Sequence, residues 1–178
     1  MRVFFLALAM LFLCNWSLAG DGSPDLKALR KKLIQAIDSQ HTTDSLYTML
    51  DRLHQKTPLT TAYLGALGAL KAKHTWNPYF KIKYLNLSEK LMQQAVDEEP
   101  HNIEILFMRF SIQHNVPGFL GYAKNLVTDR EEMITQLSRK NYGTADRELT
   151  ISIIKFLIDS RRCTPQENVK LDKQLAAL

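Results

Sequence analysis

The chain has 178 residues, 46% of them hydrophobic and 23% charged, with a formal net charge of +5. That length and balance suit one globular domain with a real core and exclude a disordered chain. The basic residues sit in separate clusters ("LRKK", "LSRKN", "SRR") with acidic residues among them, which reads as solvated helix faces and excludes the concentrated basic stripe of a nucleic-acid surface.

The chain opens with "MRVFFLALAMLFLCNWSLAG". One basic residue, Arg2, precedes an apolar run from Val3 to Leu13, and small residues follow at Ser17 and Ala19. This pattern predicts a signal peptide over 1–19, cleaved after Ala19. The apolar run is shorter than the roughly 20 residues that span a bilayer, so no membrane span is expected after cleavage. Leu13 stands where lipoprotein processing at Cys14 would need a small residue. Of 23 basic and 18 acidic residues, cleavage removes Arg2 alone, which leaves 22 and 18 and a net charge of +4. It also removes Cys14, so Cys163 stands alone and no intrachain disulfide can form. An inert, partly buried thiol is expected there. The remaining residues, 20–178, read as a single all-helical domain of an exported protein, periplasmic or secreted.

Helix signals then follow one another, without sustained alternation or a hairpin turn. "SPDL" starts the first helix, with Ser23 as cap, Pro24 in the first turn and Leu26, Leu29, Leu33 and Ile37 on one face. A second carries Leu46, Met49, Leu50 and Leu53. "KTPLTTAYLGALGALKAKH" predicts a third, capped by Thr57, whose Gly65 and Gly68 imply a closely approaching neighbour, because glycine costs a helix about 1 kcal/mol relative to Ala. After the loop "HTWNPYF", a fourth helix has an inner stripe of Tyr84, Leu87, Ser88, Leu91, Met92 and Ala95. Pro100 breaks the chain, and Asn102 caps a fifth helix of "IEILFMRF" that is apolar nearly all round, as a central helix is. A helix is expected from Phe119 to Val127, and Thr128 with Glu131 has capping-box spacing. Leu149, Ile153, Phe156 and Leu157 mark the next helix. "TPQE" starts the last, with Thr164, Pro165 and Glu167 in capping roles, and it continues through Val169, Leu171 and Leu175. Short connections favour antiparallel helical hairpins.

From Thr61 to Pro100 the chain resembles a degenerate tetratricopeptide unit. Tyr63, Leu67 and Gly68 approximate the bulky residue and Leu-Gly of its first helix. Ser88, Met92, Ala95 and Pro100 follow the small, bulky, small and proline order of its second helix and turn. The loop "HTWNPYF" is longer than the turn of that repeat. The resemblance implies hairpins stacked as a short right-handed solenoid with a concave face that binds peptides or protein surfaces. An irregular helical bundle carries the same caps and stripes, and both architectures are all-α.

No catalytic motif stands out. His41, His54, His74, His101 and His114 lack the i, i+4 spacing of a helical zinc site. "DEE" at 97–99 lacks calcium-loop spacing and reads as a solvated helix end. Cys163 has no local motif, and no G-x-S-x-G or phosphate loop occurs. Neither a metal nor a cofactor is expected, and neither is an enzyme. Two features remain. Trp76, Tyr79 and Phe80 cluster around a loop proline, either as partner anchors or folded back over helix ends. Arg109 lies inside the apolar fifth helix and needs a partner across helices or an acidic ligand group. The expected function is a non-enzymatic adaptor that binds a protein or peptide through a face carrying Tyr63, Trp76, Tyr79, Phe80 and Arg109. The alternative is a carrier that holds an apolar ligand or lipid between helices.

Overall fold

The computed structural model describes residues 25–178. The signal segment and the caps expected at Ser23 and Pro24 lie outside the described residues. Among them are eight α-helices and one 3-10 turn, with no strand. They are α1 (Leu26–Ala36), α2 (Gln40–Asp51), α3 (Pro58–His74), α4 (Pro78–Glu98), α5 (Ile103–Asn115), α6 (Leu126–Ser138), α7 (Arg147–Asp159) and α8 (Pro165–Ala176). The fold is all-α, built of packed helical hairpins. None of the described helices is long and apolar enough to cross a membrane.

The helix starts follow their side chains. Thr57 Oγ1 accepts from the Thr60 N–H at 3.2 Å and Pro58 fills the first turn of α3. Asn77 Oδ1 accepts from Tyr79 N–H at 2.9 Å ahead of Pro78 in α4. Asn102 Oδ1 takes the N–H groups of Glu104 and Ile105 at 3.0 and 3.3 Å, so the chain restarts as α5 after Pro100. Thr164 and Glu167 form the full capping box of α8. Each cap satisfies N–H groups that a helix start leaves without partners.

Two helices form the centre. Residues from Leu59 to Gly68 are buried on every side of α3, and so are Ile103 to Leu106, Met108, Arg109 and Phe110 on α5. The other helices pack round them: α3 against α2 and α4, and α5 against α3, α4 and α6. The α3–α4 seam is tight. A Cβ built on Gly65 would lie 3.2 Å from Met92 Cγ and Cε and 3.3 Å from Leu91 Cβ. A side chain there would press on both neighbours, so the helices approach most closely at Gly65. A Cβ on Gly68 would meet Ser88 Cβ at an ordinary 3.6 Å.

Several expectations shift. Asp25 caps α1, its Oδ1 accepting from the Lys27 N–H at 2.9 Å. The helix expected over Phe119–Val127 is a 3-10 turn, Gly118–Leu120, ended by Gly121 at φ +78°. α6 begins only at Leu126, because the Asn125 N–H is drawn to Gln113 Oε1 at 2.8 Å. Thr128 sits inside α6 and bonds back to the Asn125 carbonyl, so it makes no capping box with Glu131. On α4 the buried stripe is Leu85, Ser88, Met92, Ala95 and Val96, while Leu87 and Leu91 are only half-buried. Ile37 and Met49, expected on the apolar faces of their helices, are exposed.

Candidate functional site

The five residues singled out by sequence divide into an interior set and an exposed set. Tyr63 is 1% exposed and belongs to a buried polar cluster centred on Glu104 of α5. Glu104 Oε1 accepts from Tyr63 Oη at 2.6 Å and from Arg30 Nε at 3.0 Å. Oε2 accepts from Arg30 Nη2 at 2.7 Å and from Thr144 Oγ1 at 3.1 Å. Arg30 also reaches Asp146 Oδ2 at 3.0 Å and the Thr144 carbonyl at 2.8 Å. Asp146 in turn caps α7, its Oδ1 accepting from Leu149 N–H at 2.9 Å. One carboxylate thus joins α1, α3, α5 and the start of α7. Burial, reinforced by the Glu104 carboxylate, pushes the Tyr63 phenol up from its ordinary value, so it stays protonated and donates. The hydrogen bond to Glu104 raises the Arg30 guanidinium.

Arg109 is 6% exposed and also structural. Its Nε and Nη2 hold Asp129 of α6 in a fork, at 2.8 and 2.5 Å, and its Nη1 donates to Gln93 of α4 at 3.0 Å. A guanidinium enclosed in an apolar helix finds its charge partner across the helix interface. Burial pushes the Asp129 carboxyl upward, and Arg109 opposes that rise. With its donors committed to Asp129 and Gln93, Arg109 presents no open fork to a ligand.

Trp76, Tyr79 and Phe80 are together and exposed. Trp76 is 96% exposed, Tyr79 70% and Phe80 41%. They do not fold back over the helix ends. Thr75 to Asn77 form a short extended link between α3 and α4, held by the Asn77 cap, and the link carries the Trp76 indole outward. Tyr79 and Phe80 meet edge to face at 5.5 Å. Phe80 stacks on Tyr84 at 6.3 Å, and Tyr84 shares the Lys71 ammonium with Tyr47. The inner side of this corner is therefore fixed, and Trp76 and Tyr79 project from it.

Sequence reasoning missed Arg30, Thr144 and Asp146, and it missed Phe119, which is 88% exposed in the strap between α5 and α6. Glu104 within an apolar run was the available signal for the first group. Pro117, Gly118 and Gly121 were the signal for a turn that displays Phe119.

Among the described residues no three His, Cys, Asp or Glu side chains gather as a metal site. Cys163 is half-buried, its thiol raised by burial and resting 3.5 Å from the Leu157 carbonyl, the environment of an inert thiol. The best-defined crevice, between α4, α5 and the strap, has a volume of about 20 Å³. That is room for a single water beside the buried, unpartnered Ser88 hydroxyl, and far below the size of a lipid pocket. Comparison with known proteins adds no relative: no family model matches the chain, and neither a curated protein nor a solved structure matches it.

Proposed function

We propose that the chain is an exported, non-enzymatic adaptor that works by contact with a protein or peptide partner. The observation that carries this reading is the display of Trp76 and Tyr79 on a well-anchored turn. Large exposed aromatics on a rigid support are the residues that anchor interfaces. The groups with chemical potential in the interior, Glu104, Tyr63, Arg109 and Asp129, are engaged in bonds that hold helices together. The tetratricopeptide resemblance agrees with the buried seam: Leu67, Ser88, Met92 and Ala95 all face the packed interior. With α3 and α5 enclosed by other helices, the contact surface is the displayed end of the bundle rather than a groove along those two helices. The crevice of about 20 Å³ gives the carrier reading little support.

The test is a pull-down from a detergent-solubilised envelope fraction with the chain from Gly20 onward. A protein partner should co-purify and be lost with the Trp76→Ala, Tyr79→Ala variant. A partner retained by that variant would remove the displayed end from the reading. A lipid recovered in place of any protein would favour the carrier.

A further inference from the structure

The displayed end is broader than the α3–α4 link. His74 Nε2 lies 3.0 Å from the Ala36 carbonyl and Lys73 Nζ 2.6 Å from the Ile37 carbonyl, so the end of α1 meets the end of α3. Ile37 is thereby exposed at the same end as Trp76, Tyr79, Phe80 and Ile82. The strap joins from the other side. Tyr122 Oη donates to Asn86 Oδ1 at 2.7 Å, which ties the strap to the third turn of α4. Tyr79, Ile82 and Asn86 share one face of α4 at spacings of three and four residues. Exposed apolar side chains from the end of α1, the start of α4 and the α3–α4 link thus gather toward one end of the bundle.

Charge singles out the same end. From residue 52 to residue 88 the sequence has no Asp or Glu. Lys71, Lys73, Lys81 and Lys83 fall in this run, with His74 among them. The acidic groups that face them from neighbouring helices are Asp44, paired with Lys71, and Asp38, 3.5 Å from Lys73. Lys81 donates to the Ala72 carbonyl at 3.1 Å, and Lys83 is exposed. Four lysines against two aspartates leave the aromatic end positive.

The shape is projecting. Neither the crevice beside Ser88 nor the shallow depression on α2 is lined by Trp76, Tyr79, Phe80, Ile82 or Phe119. Projecting Trp and Tyr rings flanked by lysines match the boundary between lipid headgroups and chains. We propose that this end docks on an anionic lipid bilayer, its aromatic rings entering the headgroup layer and its lysines facing lipid phosphates. The proposal rests on reading the displayed end as the contact surface, and it names what that surface meets.

Trp76 is itself the reporter, since it is the single Trp after Gly20. The chain from Gly20 onward contains the whole described core, so it is the form to use. It is titrated with phosphatidylcholine vesicles with and without phosphatidylglycerol. The expected result is a blue shift of Trp76 emission and co-sedimentation with the anionic vesicles alone, both reversed by 0.5 M salt. The Lys81→Glu, Lys83→Glu variant should bind them about tenfold or more weakly, since each lysine near an anionic surface contributes about 1 kcal/mol. Far-UV circular dichroism verifies that this variant is folded. Absence of a shift and of co-sedimentation overturns the proposal, as does equal binding to neutral vesicles. If vesicles fail while the pull-down still depends on Trp76, the adaptor reading stands and the lipid surface is excluded. If vesicles bind and the pull-down is indifferent to Trp76, the lipid surface stands and the protein contact lies elsewhere.

Discussion

The first two turns of α5 and the beginning of α4 invert the common rule that charge lies outside and apolar bulk inside. On α5, Glu104 and Arg109 are enclosed among Ile105, Leu106 and Phe110. On α4, Tyr79, Phe80 and Ile82 face water beside Trp76. The difference lies in what each group can reach. Glu104 has four donors within 3.1 Å and Arg109 has a fork of carboxylate oxygens plus an amide. A buried charge with that much compensation becomes a joint between helices. The rings at the start of α4 stand exposed where the chain leaves the α3–α4 link. A buried charge here therefore holds the architecture together, and an exposed ring contributes little to it.

The comparison is tested most severely at Glu104. Glu104→Ala leaves Arg30 and Tyr63 without their central acceptor and should lower unfolding free energy by about 4 kcal/mol, the scale for removing one partner of a buried ion pair. Urea denaturation measures it, and a loss under about 1 kcal/mol would show that the cluster is not a joint. Removing Arg30 and Glu104 together should cost less than the sum of the single losses, because neither is then stranded. Arg109→Met should cost less, about 3 kcal/mol. The reason is that burial already pushes Asp129 toward its neutral form, so the stranded carboxyl can protonate.

Much of this fold was legible because caps and stripes are local. Thr57-Pro58, Asn77-Pro78, Asn102 and Thr164-Pro165-x-Glu167 each carry their helix start within four residues, and each forms the cap that its residue type favours. The apolar circumference of α5 gave its central place. The strap was not legible in the same way. Phe119 to Val127 has helical composition, yet Gly121 at φ +78° and the Gln113–Asn125 bonds, which join residues 12 apart, decide its path. The candidate site was half legible. Proximity in sequence placed Trp76, Tyr79 and Phe80 together, and their exposure depends on tertiary packing that no local pattern records. Tyr63 was placed on the binding face and is buried, and the cross-helix pairing expected for Arg109 came without its partner, because the partners of the two lie 41 and 20 residues away and no spacing rule links them.

The α3–α4 seam sharpens the comparison at single-atom scale. Gly68→Ala places a Cβ in ordinary contact with Ser88 and should gain about 0.5–1 kcal/mol from helix propensity. Gly65→Ala places it 3.2–3.3 Å from Met92 and from Leu91 Cβ, and the strain should cancel or exceed that gain. Opposite signs for the two substitutions, read from thermal or urea unfolding, would confirm that the seam closes at Gly65. Equal gains would show that it does not.

A smaller effect follows at the far end of α5. Burial and the nearby Arg162 lower His114 from its ordinary value of 6.5. The neutral ring accepts from Arg162 Nε at 2.8 Å and stacks on Phe110. The unfolded chain then binds a proton before the folded one does. This contribution is complete above about pH 6.5 and declines as pH falls below it. Unfolding free energy measured from pH 7.5 to 5 should decrease, and the His114→Gln variant should flatten that decline. An unchanged slope in the variant would assign the effect to other groups.

The smallest expected change in stability is at the most conspicuous side chain. At 96% exposure Trp76 makes little contact that unfolding would lose, so Trp76→Ala should alter the unfolding free energy by no more than about 0.5 kcal/mol. Phe110→Ala, at 0% exposure, should cost about 3–5 kcal/mol. Both rings are large and apolar, so the contrast isolates position from chemistry. If Trp76→Ala destabilised the domain by several kcal/mol, the indole would be packed in solution and the displayed end would be part of the core. A near-zero change leaves binding as the role for a large aromatic side chain held in water.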